Sequence, residues 1–202
     1  MLQKLIFKFL AKALICLGFI LFIHCKNQDE IKQLDKNVFS STIKNKYAEG
    51  FKITKHKFYT VLDLNSPWPN SKISYSYVLV SKENLSHISD LKNEFDEIIT
   101  IPLEKIVVTS TTHIPALELL EVENTLMGFP GLNYISSEKT RQRIDLGIIR
   151  ELGKNESINT EVLLELHPDV VVGFGVDGKN KNFETIKNSD IPILYNGDWV
   201  EN

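Results

Sequence analysis

The stretch at 160–175, Thr-Glu-Val-Leu-Leu-Glu-Leu-His-Pro-Asp-Val-Val-Val-Gly-Phe-Gly, limits the possible folds more than any other part of this chain. Val162, Leu163 and Leu166 fall at i, i+1 and i+4, so they share one face of a short helix. Thr160 followed by Glu161 suits a helix start, with the acid near the positive end of the dipole. Pro168 cannot continue a helix and pushes His167 towards extended backbone. The run Asp169-Val170-Val171-Val172 predicts a strand covered on both faces. Gly173-Phe174-Gly175 then reads as a loop beyond the strand end, where open α/β sheets hold their ligands.

The same rhythm runs from Leu103 onward. Ile106-Val107-Val108-Thr109 predicts a first strand, and Ile114, Leu117 and Leu120 a helix with one apolar face. Thr125-Leu126-Met127 predicts a second strand, closed by Gly128. The connection at 129–158 holds one helical piece around 138–144. The valine run is the third strand. Phe183 and Ile186 mark another helix, and Ile191-Pro192-Ile193-Leu194-Tyr195 a fourth strand, with Pro192 favouring a sheet edge. Strands alternating with helices give the α/β class, a doubly wound, mainly parallel four-stranded sheet with right-handed crossovers. Residues 51–102 read differently. Phe51-Lys52-Ile53-Thr54 alternates, and Ile73, Tyr75, Tyr77 and Leu79 alternate with Ser74, Ser76, Val78 and Val80, which predicts an antiparallel β-ribbon ahead of the main domain. Trp68, between Pro67 and Pro69, either packs that turn or faces a ligand.

The N-terminus is of another kind. Residues 1–24 carry Lys4, Lys8 and Lys12, no acid, and an apolar core too short for a comfortable membrane span. The ending Phe22-Ile23-His24-Cys25 resembles a bacterial lipoprotein signal, in which Cys25 is lipidated, although His24 stands where that signal prefers a small residue. The alternative is an uncleaved membrane anchor, and both place the body outside the cytoplasm. The run Lys26-Asn27-Gln28-Asp29-Glu30 resembles the surface-export signal of some lipoproteins. Residues 25–50 are polar and aperiodic and read as a tether. From Cys25 onward 20 basic residues stand against 26 acidic ones, a net of −6, which argues against a nucleic-acid partner. Cys16 and Cys25 are the only cysteines, so the body has neither a disulfide framework nor a cysteine-ligated metal or cluster.

The predicted strand ends put four loops on one rim. They offer Ser110, Thr111, Thr112 and His113; then Phe129 and Tyr134; then Gly173, Phe174 and Gly175; then Asn196, Asp198 and Trp199. Hydroxyls, aromatic faces and glycines suit a bulky, partly apolar ligand with a few polar handles. No nucleophile elbow, Walker loop, dinucleotide fingerprint or zincin motif occurs, so neither an enzyme nor a bound cofactor is expected. His56, His113 and His167 could ligate a metal only by meeting in space; His113 reads as a polar lining residue and His167 as a cap away from the rim. Arg141 and Arg143 form the one close arginine pair, either an anion clamp or a solvated helix face.

Three segments together carry a family likeness: Ile106-Val107-Val108-Thr109-Ser110 leading into Thr111-Thr112-His113, Thr125-Leu126-Met127-Gly128, and Leu163-Leu164-Glu165-Leu166-His167-Pro168-Asp169-Val170-Val171-Val172. A helix ending in Leu-x-Pro-Asp-Val resembles the substrate-binding proteins of iron–siderophore, haem and cobalamin ABC importers. Ile191-Pro192-Ile193 fits the same pattern, with Asp190 where glycine is usual. The likeness covers about 51–202, most clearly 103–202, which would be the N-terminal lobe. It implies two α/β lobes with a metal chelate or tetrapyrrole between them, delivered to an ABC permease and held at the membrane by a lipid anchor. It also implies a docking acid eight positions before the aspartate of Leu-x-Pro-Asp, which here is Glu161. The family is longer than this chain, so the expectation is one lobe of two, with weaker chelate binding than a two-lobe form. The other readings are a chelatase-like enzyme, a zinc or manganese binding protein on the same fold, and a fragment with no function of its own.

Overall fold

The computed structural model describes residues 40–91, 93–174 and 181–197. Cys25, Gly175, Asp198 and Trp199, and with them the leader and the lipidation site, lie outside the described residues. Ser41–Asn202 forms one compact unit built on two five-stranded sheets.

The first sheet contains β1 (Ser41–Ile43), β2 (Phe51–Lys55), β3 (Tyr59–Asn65), β4 (Ser74–Ser81) and β5 (Glu97–Ile101), in that order across the sheet. Three of its pairings are antiparallel, as the alternation predicts, and β5 joins β4 in parallel. β1 extends the sheet into the polar stretch that reads as tether. The period-two pattern decides what each face covers. Val78 and Val80 pack with Ile88 of a 3₁₀ helix, Lys82–Leu91. Tyr75, Tyr77 and Leu79 point the other way, with Ile99, into the core shared with the second sheet.

The second sheet is wholly parallel. It comprises β6 (Ile106–Val108), β7 (Leu126–Phe129), β8 (Arg150–Glu151), β11 (Val170–Phe174) and β12 (Ile193–Asn196). The order across it is β12-β11-β6-β7-β8. The four expected strands are all present, β12 does lie at an edge, and β8 is a fifth, two-residue strand within the 129–158 connection. β9 (Gly153–Lys154) and β10 (Ser157–Ile158) form a separate small hairpin after β8.

Helix α1 (His113–Leu119) and helix α2 (Glu138–Asp145) send Ile114, Leu117 and Ile144 to one face of this sheet, against Ile106, Val108, Leu126 and Val170. Helix α3 (Thr160–Leu166) and helix α4 (Lys181–Lys187) send Leu163, Phe183 and Ile186 to the other, against Val107, Val171 and Ile193. Full burial of each such aliphatic side chain is worth about 1.5–3 kcal/mol. Helices after the first two strands therefore cover one face and later helices the opposite one, the doubly wound arrangement. That arrangement leaves the β11–β12 half of the α1/α2 face without a helix. The first sheet fills it: Leu62, Leu64, Tyr75, Tyr77, Leu79 and Ile99 join the core that holds Val170, Val172 and Leu194.

Several local expectations are corrected. Thr125 belongs to a 3₁₀ turn, Glu123–Thr125, and Gly128 lies inside β7 rather than closing it. α1 stops at Leu119, leaving Leu119 and Leu120 86% and 69% exposed, so Leu120 is not on a buried face. Asn159, not Thr160, caps α3, its side chain accepting from the Val162 N–H at 3.2 Å. His167 is left-handed (φ 47°), not extended, because it ends the helix with its N–H bonded to the Leu164 carbonyl. Asp169 precedes the strand: its Oδ2 accepts from the backbone N–H groups of Glu104 and Lys105 at 2.7 and 2.8 Å, which ties β11 to the start of β6. Trp68 packs the turn, 6% exposed and edge-on to Tyr195 with ring centroids 5.9 Å apart.

Candidate functional site

The chain moves outward from β6 through β7 to β8, then returns to build β11 and β12 on the other side. The direction of winding reverses between β6 and β11. A crevice opens beyond the carboxyl ends of the strands at such a point, with loops diverging to either side.

On the β6 side, the buried Thr109 extends the strand, its N–H donating to the Val172 carbonyl at 3.2 Å. Ser110 then turns the chain. Its Oγ lies 2.9 Å from Thr112 Oγ1 and accepts from the Thr112 N–H at 3.3 Å. The N–H groups of His113 and Ile114 donate back to the Ser110 and Thr111 carbonyls, which starts α1. Thr111 and Thr112 are exposed at the rim, whereas His113 is 6% exposed and packs inward.

The β7 loop separates its two expected lining residues. Phe129 is 2% exposed and belongs to the core with Ile106, Ile135 and Ile149. Tyr134 ends a short 3₁₀ helix, Leu132–Tyr134, and is 80% exposed. Gly131, left-handed at φ 78°, lets the Tyr134 ring fold back on the loop: a Cβ there would come within 2.8 Å of Tyr134 Cδ2.

On the β11 side, Gly173 and Phe174 are strand residues, paired with Tyr195 and Asn196, not a loop. Gly173 presents no open backbone, because a Cβ there would meet the Phe183 ring at 2.9 Å. Asn196 ends β12 half-buried. Among the described residues Ser110, Thr111 and Thr112 lie on the turn after β6, the exposed Tyr134 on the loop after β7 and Asn196 at the end of β12, while Phe129, Gly173 and His113 are packed inward.

Two rim residues escape sequence inspection. Glu151 ends β8. Its Oε1 accepts from the N–H groups of Gly131 at 2.8 Å and Gly153 at 2.9 Å, and its Oε2 from Leu132 at 2.9 Å. Burial works to raise its pKa, but the N–H groups of Gly131, Leu132, Gly153 and Leu152 outweigh it, so the carboxyl is held below its ordinary range. Asn155, at the tip of the β9–β10 hairpin, donates from Nδ2 to the Thr109 carbonyl at 2.9 Å. Asn182 of α4 donates to the neighbouring Glu156 carbonyl at 3.2 Å. The hairpin therefore reaches from β8 across to the end of β6 and to α4.

The arginine pair is neither an anion clamp nor a free face. Arg141 donates to the Leu132 carbonyl at 3.0 Å, and Arg143 to the Asn124 and Leu126 carbonyls, both at 3.1 Å. Glu161 is exposed in the first turn of α3. That helix runs from the hairpin, where the Asn159 N–H bonds the Leu152 carbonyl, down to the start of β11, so Glu161 lies towards the rim end of the sheet. Among the described residues no three His, Cys, Asp or Glu side chains gather as a metal site. Among the same residues no helix is long and apolar enough to cross a membrane.

No protein-family model matches the chain, and no curated protein matches it as a relative. Partial similarity to solved structures is found. The periplasmic vitamin B12 binding protein BtuF of Vibrio cholerae aligns at 14% identity and TM-score 0.38, over 46% of this chain and 34% of that one. The molybdate periplasmic binding protein MolA of Haemophilus influenzae aligns at 22% identity and TM-score 0.40, over 48% and 31%. A periplasmic heme binding protein from Pseudomonas aeruginosa aligns at 16% identity and TM-score 0.36, over 46% and 31%. The matched part is about a third of the length of those proteins.

Proposed function

We propose that this chain is a solute-binding protein, not an enzyme, whose rim captures a metal chelate or tetrapyrrole for an ABC uptake system. The candidate ligands are iron–siderophore, haem and cobalamin. The observation that supports this most is the reversal of strand order between β6 and β11, with hydroxyls of Ser110, Thr111 and Thr112 and the exposed ring of Tyr134 among the loops beyond the strand ends. Such a rim has hydrogen-bond handles and a stacking face, and suits binding without chemistry. In this reading Gly175, Asp198 and Trp199 complete the rim, Cys25 carries the lipid anchor outside the cytoplasm, and Glu161 meets the permease. A charged docking contact of that kind governs partner choice and encounter rate more than affinity. The exposure of Glu161 in the first turn of α3, at the rim end of that helix, supports this reading.

The test is a titration of the purified body with a ferric trihydroxamate, a ferric catecholate, haem and cobalamin, followed by quenching of intrinsic fluorescence. Saturable binding of one of them, weakened in a Tyr134→Ala variant, is the expected result. No binding of any of the four would sink the reading.

A further inference from the structure

Two rim segments meet at one side chain, and a third is tied to them through the hairpin. Glu151 holds the β7 loop through the N–H groups of Gly131 and Leu132, and the first turn of the hairpin through that of Gly153. The hairpin in turn holds the end of β6 through Asn155 and the Thr109 carbonyl, one residue before Ser110. β8 itself has only two residues and one sheet neighbour, so ladder bonds alone cannot fix where its end lies. A carboxylate with two oxygens can accept from several donors at once, and bonds to an ionised acceptor are stronger than neutral ones. Glu151 is exposed, so alanine at 151 would hand three N–H groups to water and leave the two segments unlinked, and glutamine would offer one acceptor oxygen in place of two.

We infer that Glu151 is the positioning residue of the rim: its carboxylate locks the Tyr134 loop to the hairpin, and so sets the distance between Tyr134 and the Ser110–Thr112 hydroxyls. This rests on reading the rim as the ligand site. It adds that rim geometry depends on one ionised group outside the ligand's own contacts. When that carboxyl takes up a proton, one acceptor becomes a donor, and it faces N–H groups that cannot accept. The rim then loosens while the two sheets stay packed. Titratable and charged groups on the surrounding elements are Tyr134 on the loop, Arg141 on α2, Arg150 on the same strand, and Lys154 and Glu156 on the hairpin; Arg141 is already engaged with the Leu132 carbonyl.

The experiment is an NMR pH titration of the body without ligand, on wild type and Glu151→Gln. The expected result is that the amide protons of Gly131, Leu132 and Gly153 and the ring of Tyr134 shift together in wild type. Their common midpoint should lie below the ordinary glutamate range, while the buried Tyr77 and Tyr195 rings stay unchanged. In Glu151→Gln that joint transition should vanish. A Tyr134 ring that does not follow the three amides, or a transition that survives in Glu151→Gln, would overturn the inference. If Glu151→Gln is unfolded at neutral pH, with the Tyr77 and Tyr195 shifts lost, the carboxylate is part of the fold's stability rather than a positioning group, and the inference fails too. None of these readings needs a ligand, so failure of every chelate to bind would count against the proposed function alone. For a chelate that does bind wild type, Glu151→Gln should weaken it by about tenfold with the melting temperature within a few degrees of wild type.

Discussion

Gly173 and Gly128 both sit inside parallel strands, yet the neighbours around them differ in how far they can yield. A methyl group at 173 meets the Phe183 ring at 2.9 and 3.0 Å and Ile193 Cγ2 at 3.3 Å, all in a packed layer. At 128 it meets the ends of Leu166 and Leu152 at 2.9 and 3.0 Å, which can turn aside. Gly173→Ala is expected to cost about 1–3 kcal/mol and Gly128→Ala less, read from urea unfolding midpoints. Equal losses would mean the Phe183 ring moves freely. This also explains a misreading. In the sequence Gly173 looks like the first residue of a loop, but its lack of a side chain makes room for an aromatic ring from the following helix. Glu151 has a pH consequence at the same scale. Its folded pKa is depressed, so its stabilisation is present above the unfolded-state value and is lost as pH falls through the folded one. Wild type should therefore exceed Glu151→Gln in stability at neutral pH, with the gap closing in acid. A gap independent of pH would assign the effect to shape, not charge.

Strands with long β-branched runs could be read directly, because apolar side chains on both faces leave few alternatives. Val170 to Val172 and Ile106 to Val108 were of this kind, as was the alternation that sends Tyr75 and Tyr77 to one face of β4. Arg150 and Glu151 could not be read, since two charged residues carry no period, and what makes them a strand is distant in sequence, Gly128 opposite Arg150 and Phe129 opposite Glu151. The site divides in the same way: the hydroxyl turn after β6 was visible, while the hairpin that reaches it was not. The start of α3 at Thr160 was legible, but its cap is the preceding Asn159, where two capping types adjoin. Asn159→Ala should cost α3 about 1 kcal/mol, more than Thr160→Ala, in a chemical unfolding comparison.

For the molecule as a whole, the first sheet acts as a layer of the second. The Tyr75 and Tyr195 rings meet tilted at a centroid distance of 4.7 Å, and Lys187 reaches Glu97 at 3.5 Å over the same rings. The Tyr77 hydroxyl accepts from the Tyr195 N–H at 3.1 Å, on the edge strand's open side. Burial raises the Tyr77 and Tyr195 pKa values, so both phenols stay protonated across the physiological range. Tyr77→Phe would leave a buried N–H unmatched, at about 1–3 kcal/mol in unfolding free energy. A chain of residues 103–202 alone should expose Val170, Val172 and Leu194 as an apolar patch and associate or lose NMR dispersion, whereas residues 41–202 should stay monomeric and well dispersed.

The Tyr77–Tyr195 bond joins positions 118 residues apart, and that separation has a consequence during synthesis. Contacts this distant close late, because the loop between them must be ordered first. On the ribosome the first sheet emerges with its tyrosine face uncovered and must wait for β12 before that face is buried. The nascent chain therefore passes through an interval in which aromatic surface and an unpaired strand edge are both open, the stage at which a chaperone would have most to bind.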